Sequence, residues 1–168
     1  MRHYCILVGA TIILSALALL GIKVGFGWKS LVTRKKNGPL IRDPVVWTKF
    51  TTIVSLQTIG KHRPYTEQEM ALLRKAISDP EESIRAMAIA ALREVKHDPK
   101  QREEAIRLII PCLKDPEWLV RAYAVRSMAW LEVKEAIPKI LPLLKDPKPE
   151  VREAAKWTLQ KLGYQIRE

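Results

Sequence analysis

One frame of eight residues, Lys114-Asp115-Pro116-Glu117-Trp118-Leu119-Val120-Arg121, returns along this chain and constrains its fold more than any other feature. Asp-Pro stands at 79/80, 115/116 and 146/147. Each time an aliphatic residue follows five places after the aspartate and an arginine six places after it, as Ile84/Arg85, Val120/Arg121 and Val151/Arg152. The aspartates lie 36 and 31 residues apart, the spacing of solenoids built from helical pairs. A worn copy stands upstream: Asp43-Pro44 lies 36 residues before Asp79, with Lys49 in the arginine position and Gly60 as far from Asp43 as Gly163 is from Asp146.

Counting from each aspartate, position +5 reads Thr48, Ile84, Val120, Val151; +9 reads Thr52, Ala88, Ala124, Ala155; +13 reads Leu56, Leu92, Met128, Leu159; +16 reads Ile59, Val95, Leu131, Leu162. These offsets follow the 3.6-residue period and define one buried stripe. Small residues at +9, and at +12 (Ser55, Ala91, Ser127, Thr158), let a neighbouring helix approach closely. Upstream of the later aspartates a second apolar set recurs, with Leu73, Ile109 and Ile140 at −6. The pattern predicts helices over Pro44 to Ile59, Glu67 to Ile77, Pro80 to Val95, Pro99 to Leu113, Pro116 to Leu131, Lys134 to Leu144 and Pro147 to Leu162. Proline opens helices behind a capping Asp, and Gly60 closes the first. No stretch alternates with period two between hairpin signals, so the expected fold is all-α.

The Asp-Pro turn, the Val-Arg pair after it, and Pro111 and Pro142 inside the first helix of a unit together resemble a HEAT repeat, of the short bacterial type also seen in phycobilisome bilin lyases. The resemblance covers residues 43 to 165. It implies a short HEAT-like α-solenoid of about three and a half helical hairpins, in which the turn aspartates Asp79, Asp115 and Asp146 and the arginines Arg85, Arg121 and Arg152 pack between units as a ladder. Lys49 departs from that pattern. The first unit also lacks a first helix before Asp43 and reads as a half-repeat that caps the array, while the polar tail Gln165 to Glu168 closes the far end.

Ahead of the repeats, Ile6 to Ile22 is uncharged, and extended to Trp28 it is long enough for a transmembrane helix. Tyr4 and Trp28 bracket it as interface anchors. The expected organisation is therefore a single transmembrane anchor over 1–28, a basic juxtamembrane linker over 29–42 and a HEAT-like repeat domain over 43–168. A cleaved secretory signal, with Ala16-Leu17-Ala18 as its cleavage site, is the alternative and would make the protein exported. The formal charge of +11 is concentrated behind the anchor: residues 23–66 hold nine Lys/Arg against Asp43 alone, whereas 67–168 come to only +2. Lys29, Arg34, Lys35 and Lys36 are accordingly expected on anionic lipid headgroups, with the repeats in the cytoplasm. The modest charge of the repeats speaks against nucleic acid as a partner. Cys5 and Cys112 are too few for a disulfide framework.

Catalytic signals are sparse. His3, His62 and His97 have no Cys, Asp or Glu at metal-ligand spacing. Cys112 falls among Ile109, Ile110 and Leu113 without a base and reads as an inert buried thiol. Glu81/Glu82 and Glu103/Glu104 are acids at helix starts. Neither an enzymatic centre nor a cofactor is expected.

Function is then sought on the free face of the second helices, slots +10, +11, +14 and +15. Arg93, Arg126, Trp130 and Trp157, with Trp118 at a turn, are the candidate contacts for a protein partner. In the competing packing roles, Trp157 closes the last unit and Trp130 packs on the helix Lys134 to Leu144. The sequence thus points to a membrane-anchored scaffold that docks a protein partner, of the kind that serves as an accessory subunit of a larger membrane complex. The alternatives are a bilin lyase-like enzyme or enzyme subunit, implied by the resemblance, and, further off, a nucleic-acid binder.

Overall fold

In a computed structural model of the chain, the described residues are 43–166, and seven α-helices joined by 3₁₀ turns account for most of them. The anchor, the basic linker with Lys29, Arg34, Lys35 and Lys36, as well as Cys5, His3 and residues 167–168, lie outside the described residues. No helix among the described residues is long and apolar enough to cross a membrane.

The helices are α1 (Pro44–Gly60), α2 (Glu67–Ala76), α3 (Glu82–Leu92), α4 (Pro99–Ile109), α5 (Trp118–Trp130), α6 (Ile137–Ile140) and α7 (Pro149–Lys161). The second helices of the units, α1, α3, α5 and α7, stack on one another in sequence order, with α2, α4 and α6 beside them. Ile84, Val120 and Val151 are wholly buried, as are Ala88, Ala124, Ala155, Leu92, Met128 and Leu159, so the stripe defined by spacing is the seam of the core. Leu73, Ile109 and Ile140 meet it from the first helices. The hydroxyl of Thr158 donates to the carbonyl of Val125 at 3.2 Å, a direct contact between α7 and α5 at a small-residue position.

Local chemistry departs from the expected helix limits in three places. In the repeated corners the helix begins two residues later than Asp-Pro, at Glu82, Trp118 and Pro149. Asp79, Asp115 and Asp146 each accept from the backbone N–H two residues on, so the proline forms the bend and not the first turn. Pro44 and Pro99 do sit at helix starts, capped by Asp43 and Asp98. Around Pro111 and Pro142 the chain tightens into the 3₁₀ turns Ile110–Lys114 and Leu141–Lys145, because proline cannot supply the N–H that an α-helix needs there. Lys134 to Leu144 is therefore not continuous helix: a 3₁₀ turn, Lys134–Ala136, and the four residues of α6 precede the second tightening.

Gly60 and Gly163 also differ. Gly163 has φ +81° and ends α7 as a left-handed residue, whereas Gly60 lies inside α1, whose cap Lys61 is right-handed. Gly60 is required by proximity. A β-carbon there would lie 2.3 Å from the hydroxyl of Tyr65. The buried Tyr65 hydroxyl bridges the carbonyls of Leu56, at 2.9 Å, and Ala91, at 3.0 Å, tying the ends of α1 and α3 together. Gln101 on α4 exchanges two hydrogen bonds with the backbone of Tyr65 and fixes the loop that carries it.

The ladder runs between units. Arg85 closes both Nε and Nη2 on Asp115, each at 2.9 Å, and Arg121 does the same to Asp146 at 2.8 and 2.9 Å. Nη1 of each arginine donates to two carbonyls of its own corner. Lys49, which leaves the sequence pattern, keeps its place in the structure: its ammonium donates to Asp79 at 2.7 Å, a single-point rung where the others are two-point.

The last unit differs from the others in its stacking slots. Positions +7 and +10 face the next unit and are apolar in the first three, Phe50/Ile53, Ala86/Ile89 and Ala122/Val125. In the last unit they become Glu153 and Lys156, which are exposed and pair with each other at 3.4 Å. The expectation that a polar tail closes this end is corrected in part, since Ile166 packs against the core. Polar residues on α7 supply the cap.

Candidate functional site

The exposed part of the stacked second helices lies in slots +11, +14 and +15. Slot +10, included in the free face on sequence grounds, is buried in the first three units, where Ile53, Ile89 and Val125 are 4 %, 0 % and 0 % exposed. The reason is the 3.6-residue period: +10 sits one turn beyond the ladder residue at +6 and points with it into the following unit.

On the remaining face, polar and aromatic character increases toward the C-terminus. Unit two contributes the buried Ala90 and the half-buried Arg93 and Glu94; unit three contributes the exposed Arg126 and Trp130; unit four contributes the exposed Trp157, Gln160 and Lys161. Trp130 is 50 % exposed, and the Arg93 guanidinium stands over its ring at 5.1 Å. Trp157 is 39 % exposed, with the Lys161 ammonium 5.9 Å from its ring centre. Each tryptophan thus carries a cation, a contact that holds the ring in place while leaving much of its surface to solvent. Glu94 lies 3.5 Å from both Arg93 and the Gln57 amide, which leaves Arg126 and Lys161 to set a cationic sign for this face.

Of the five residues singled out from sequence, Arg93 and Trp130 are brought into contact, and Arg126 and Trp157 are exposed on the same helix series. Trp118 differs: it is half-buried at the start of α5 and packs against the core. Lys161 was missed. Its partner Trp157 lies four residues earlier on α7, so the i, i+4 spacing was the available signal.

The chemical inventory is small. Among the described residues no group of His, Cys, Asp or Glu is placed to hold a metal ion. His62 and His97 are exposed. Burial pushes the Cys112 thiol up to about 11, so at neutral pH it stays protonated and is a poor nucleophile. Glu82 and Glu117 do interact across the corners of units two and three; burial, then a hydrogen bond donated by the Glu82 carboxyl to Glu117 and the charge of Glu117, raise the Glu82 carboxyl above the usual range.

The stacked helical pairs and the aspartate–cation ladder together define an all-α repeat array, which carries an exposed aromatic face. Residues 106–166, from the last turn of α4 to just beyond α7, match the HEAT repeats family. HEAT repeats commonly serve as protein-interaction scaffolds and are usually non-catalytic. No curated protein matches the chain.

Proposed function

We propose that this chain is a scaffold that docks a protein partner on the ridge formed by Arg93, Trp130, Arg126 and Trp157, and that Ile6 to Ile22 tethers it to a membrane. In this reading Lys29, Arg34, Lys35 and Lys36 rest on anionic headgroups and the repeats face the cytoplasm. The observation that carries the docking role is Trp130, half exposed in the middle of the helix series with a guanidinium stacked on it. Large aromatic rings held rigidly beside arginine supply contact area at little entropic cost, and this pairing is enriched where interfaces bind most strongly. The tether rests on the length of the apolar run and the basic residues behind it.

The test is gentle detergent extraction of the tagged full-length protein, followed by identification of what co-purifies with wild type, Trp130→Ala and Arg126→Glu. A partner retained by wild type and lost from both variants is expected. Elution alone, or the same partner on all three, overturns the docking face. A reporter fused after Glu168 is expected to read cytoplasmic, and the opposite orientation overturns the tether as drawn.

A further inference from the structure

The last described corner carries a donor edge that meets no acceptor among the described residues. Arg152 is anchored as Arg85 and Arg121 are, with Nη1 donating to the carbonyls of Asp146 at 2.8 Å and Pro147 at 3.0 Å. In the two upstream units the other edge of the guanidinium, Nε and Nη2, takes both oxygens of the next corner aspartate. In Arg152 that edge has no acceptor among the described residues. Two carbonyl bonds hold the guanidinium plane, so the fork is already set for a planar, two-oxygen ligand.

The residue at +2 changes sign as well. Position +2 is Glu81 and Glu117 in units two and three but Lys148 in unit four, while Lys145 precedes this corner as Lys114 precedes that of unit three and Glu150 stands at +4. The neighbouring Glu153 is paired with Lys156. We propose that the outer edge of Arg152, with Lys148 beside it, is a carboxylate-binding site. It takes an Asp or Glu side chain from an acidic segment of another protein, seated where a fifth corner aspartate would lie.

Charge selects this occupant. A second copy would offer Asp43, but that residue stands within a segment of net charge +8 on a chain of +11, which opposes approach to a cationic edge. A stacked apolar helix is disfavoured by Glu153 and Lys156 in the slots it would need. The site is on the corner edge and stands independently of the Trp130 ridge.

The probe is a blocked hexapeptide, Ser-Asp-Pro-Glu-Glu-Ser, the sequence of residues 78–83 of this chain. It is titrated into the full-length protein while the arginine Nε–H resonances are followed by NMR. The Arg152 resonance is expected to move saturably while those of Arg85 and Arg121 stay. With Asn in place of Asp and Gln in place of both Glu in the peptide, or in the Arg152→Lys protein read by backbone amides of the same corner, binding is expected to weaken about tenfold, since the first removes every carboxylate and lysine keeps the charge but not the fork. Circular dichroism confirms that Arg152→Lys remains helical. The proposal is overturned by absence of a saturable shift, by equal binding to Arg152→Lys, or by a shift that emerges only after Glu168→Gln, which would assign the fork to the chain's own tail. Self-association of the wild-type protein that Arg152→Lys abolishes would assign it to a second copy and overturn it equally.

Discussion

Arg121 and Asp146 meet through two parallel hydrogen bonds, 2.8 and 2.9 Å, with the arginine side chain 13 % and the aspartate 4 % exposed. The same arginine holds the carbonyls of Asp115 and Pro116, so one planar group joins the corner of one unit to the next. Arg121→Ala removes both sets and strands a buried carboxylate, an expected loss of about 3 kcal/mol. Lys49→Ala is expected to cost less than about 1 kcal/mol, because Lys49 is 43 % exposed and bonds Asp79 at a single point. Chemical denaturation of the two variants checks the order; equal losses would remove the distinction between the rungs.

Stability is expected to respond to pH in two opposed ways. Burial pushes the Asp79 carboxyl up, but the hydrogen bonds from Lys49 and the Glu81 N–H, with the charges of Lys49 and Arg85, together hold it below the ordinary range. Asp146 is lowered chiefly by its bond from Arg121. A depressed carboxyl stabilises the fold above its unfolded pKa, and that contribution fades as the pH falls through the folded value. Glu82, raised by burial and by Glu117, contributes with the opposite sign: its stability is present in acid and lost as the pH rises through the folded value. Glu82→Gln is therefore expected to raise the melting temperature at pH 7, with the gain vanishing below the ordinary glutamate range. A gain that persists in acid would rule out the electrostatic cause.

Gly60 and Tyr65 form a coupled pair. An alanine at 60 would place its β-carbon 2.3 Å from the Tyr65 hydroxyl oxygen and 2.6 Å from the ring carbon that bears it, so Gly60→Ala is expected to cost roughly 1–3 kcal/mol through overpacking. Tyr65→Phe removes the bridge to Leu56 and Ala91 at about 1–2 kcal/mol. In the double variant the hydroxyl part of the clash is gone, and the combined loss is expected to fall short of the sum. Strict additivity in a double-mutant cycle would contradict the contact.

Glu132 has φ 54°, the left-handed region that a side chain enters at a cost of about 1–2 kcal/mol. It stands in the slot where unit four has Gly163. Glu132→Gly relieves the strain, partly offset by the greater freedom of glycine in the unfolded chain, for a net gain of a few tenths to about 1 kcal/mol. Thermal melts of the single variant decide the sign.

Core and ridge are expected to separate cleanly. Leu92→Ala empties a fully buried position and is expected to cost about 2–5 kcal/mol. Trp130→Ala, at a half-exposed position, is expected to lose only about 0.5–1 kcal/mol with its cation contact. A loss at Trp130 as large as that at Leu92 would make it a packing residue and remove it from the docking face.

The spacing of like residues is what made the core readable in advance: Ile84, Val120 and Val151 recur because every unit must present the same side to the same seam, and periodicity is a property of sequence. The Asp-Pro corners were visible for the same reason. Other features required a neighbour from a distant part of the chain. That Lys49 completes a rung depends on Asp79 standing 2.7 Å away, and that Gly60 answers to Tyr65 depends on a ring crossing α1. Burial of slot +10, and the capping role of Glu153 and Lys156, follow from which side of each helix the next unit covers. A single helix has one period but two flanks, and only stacking decides which flank meets protein and which meets water.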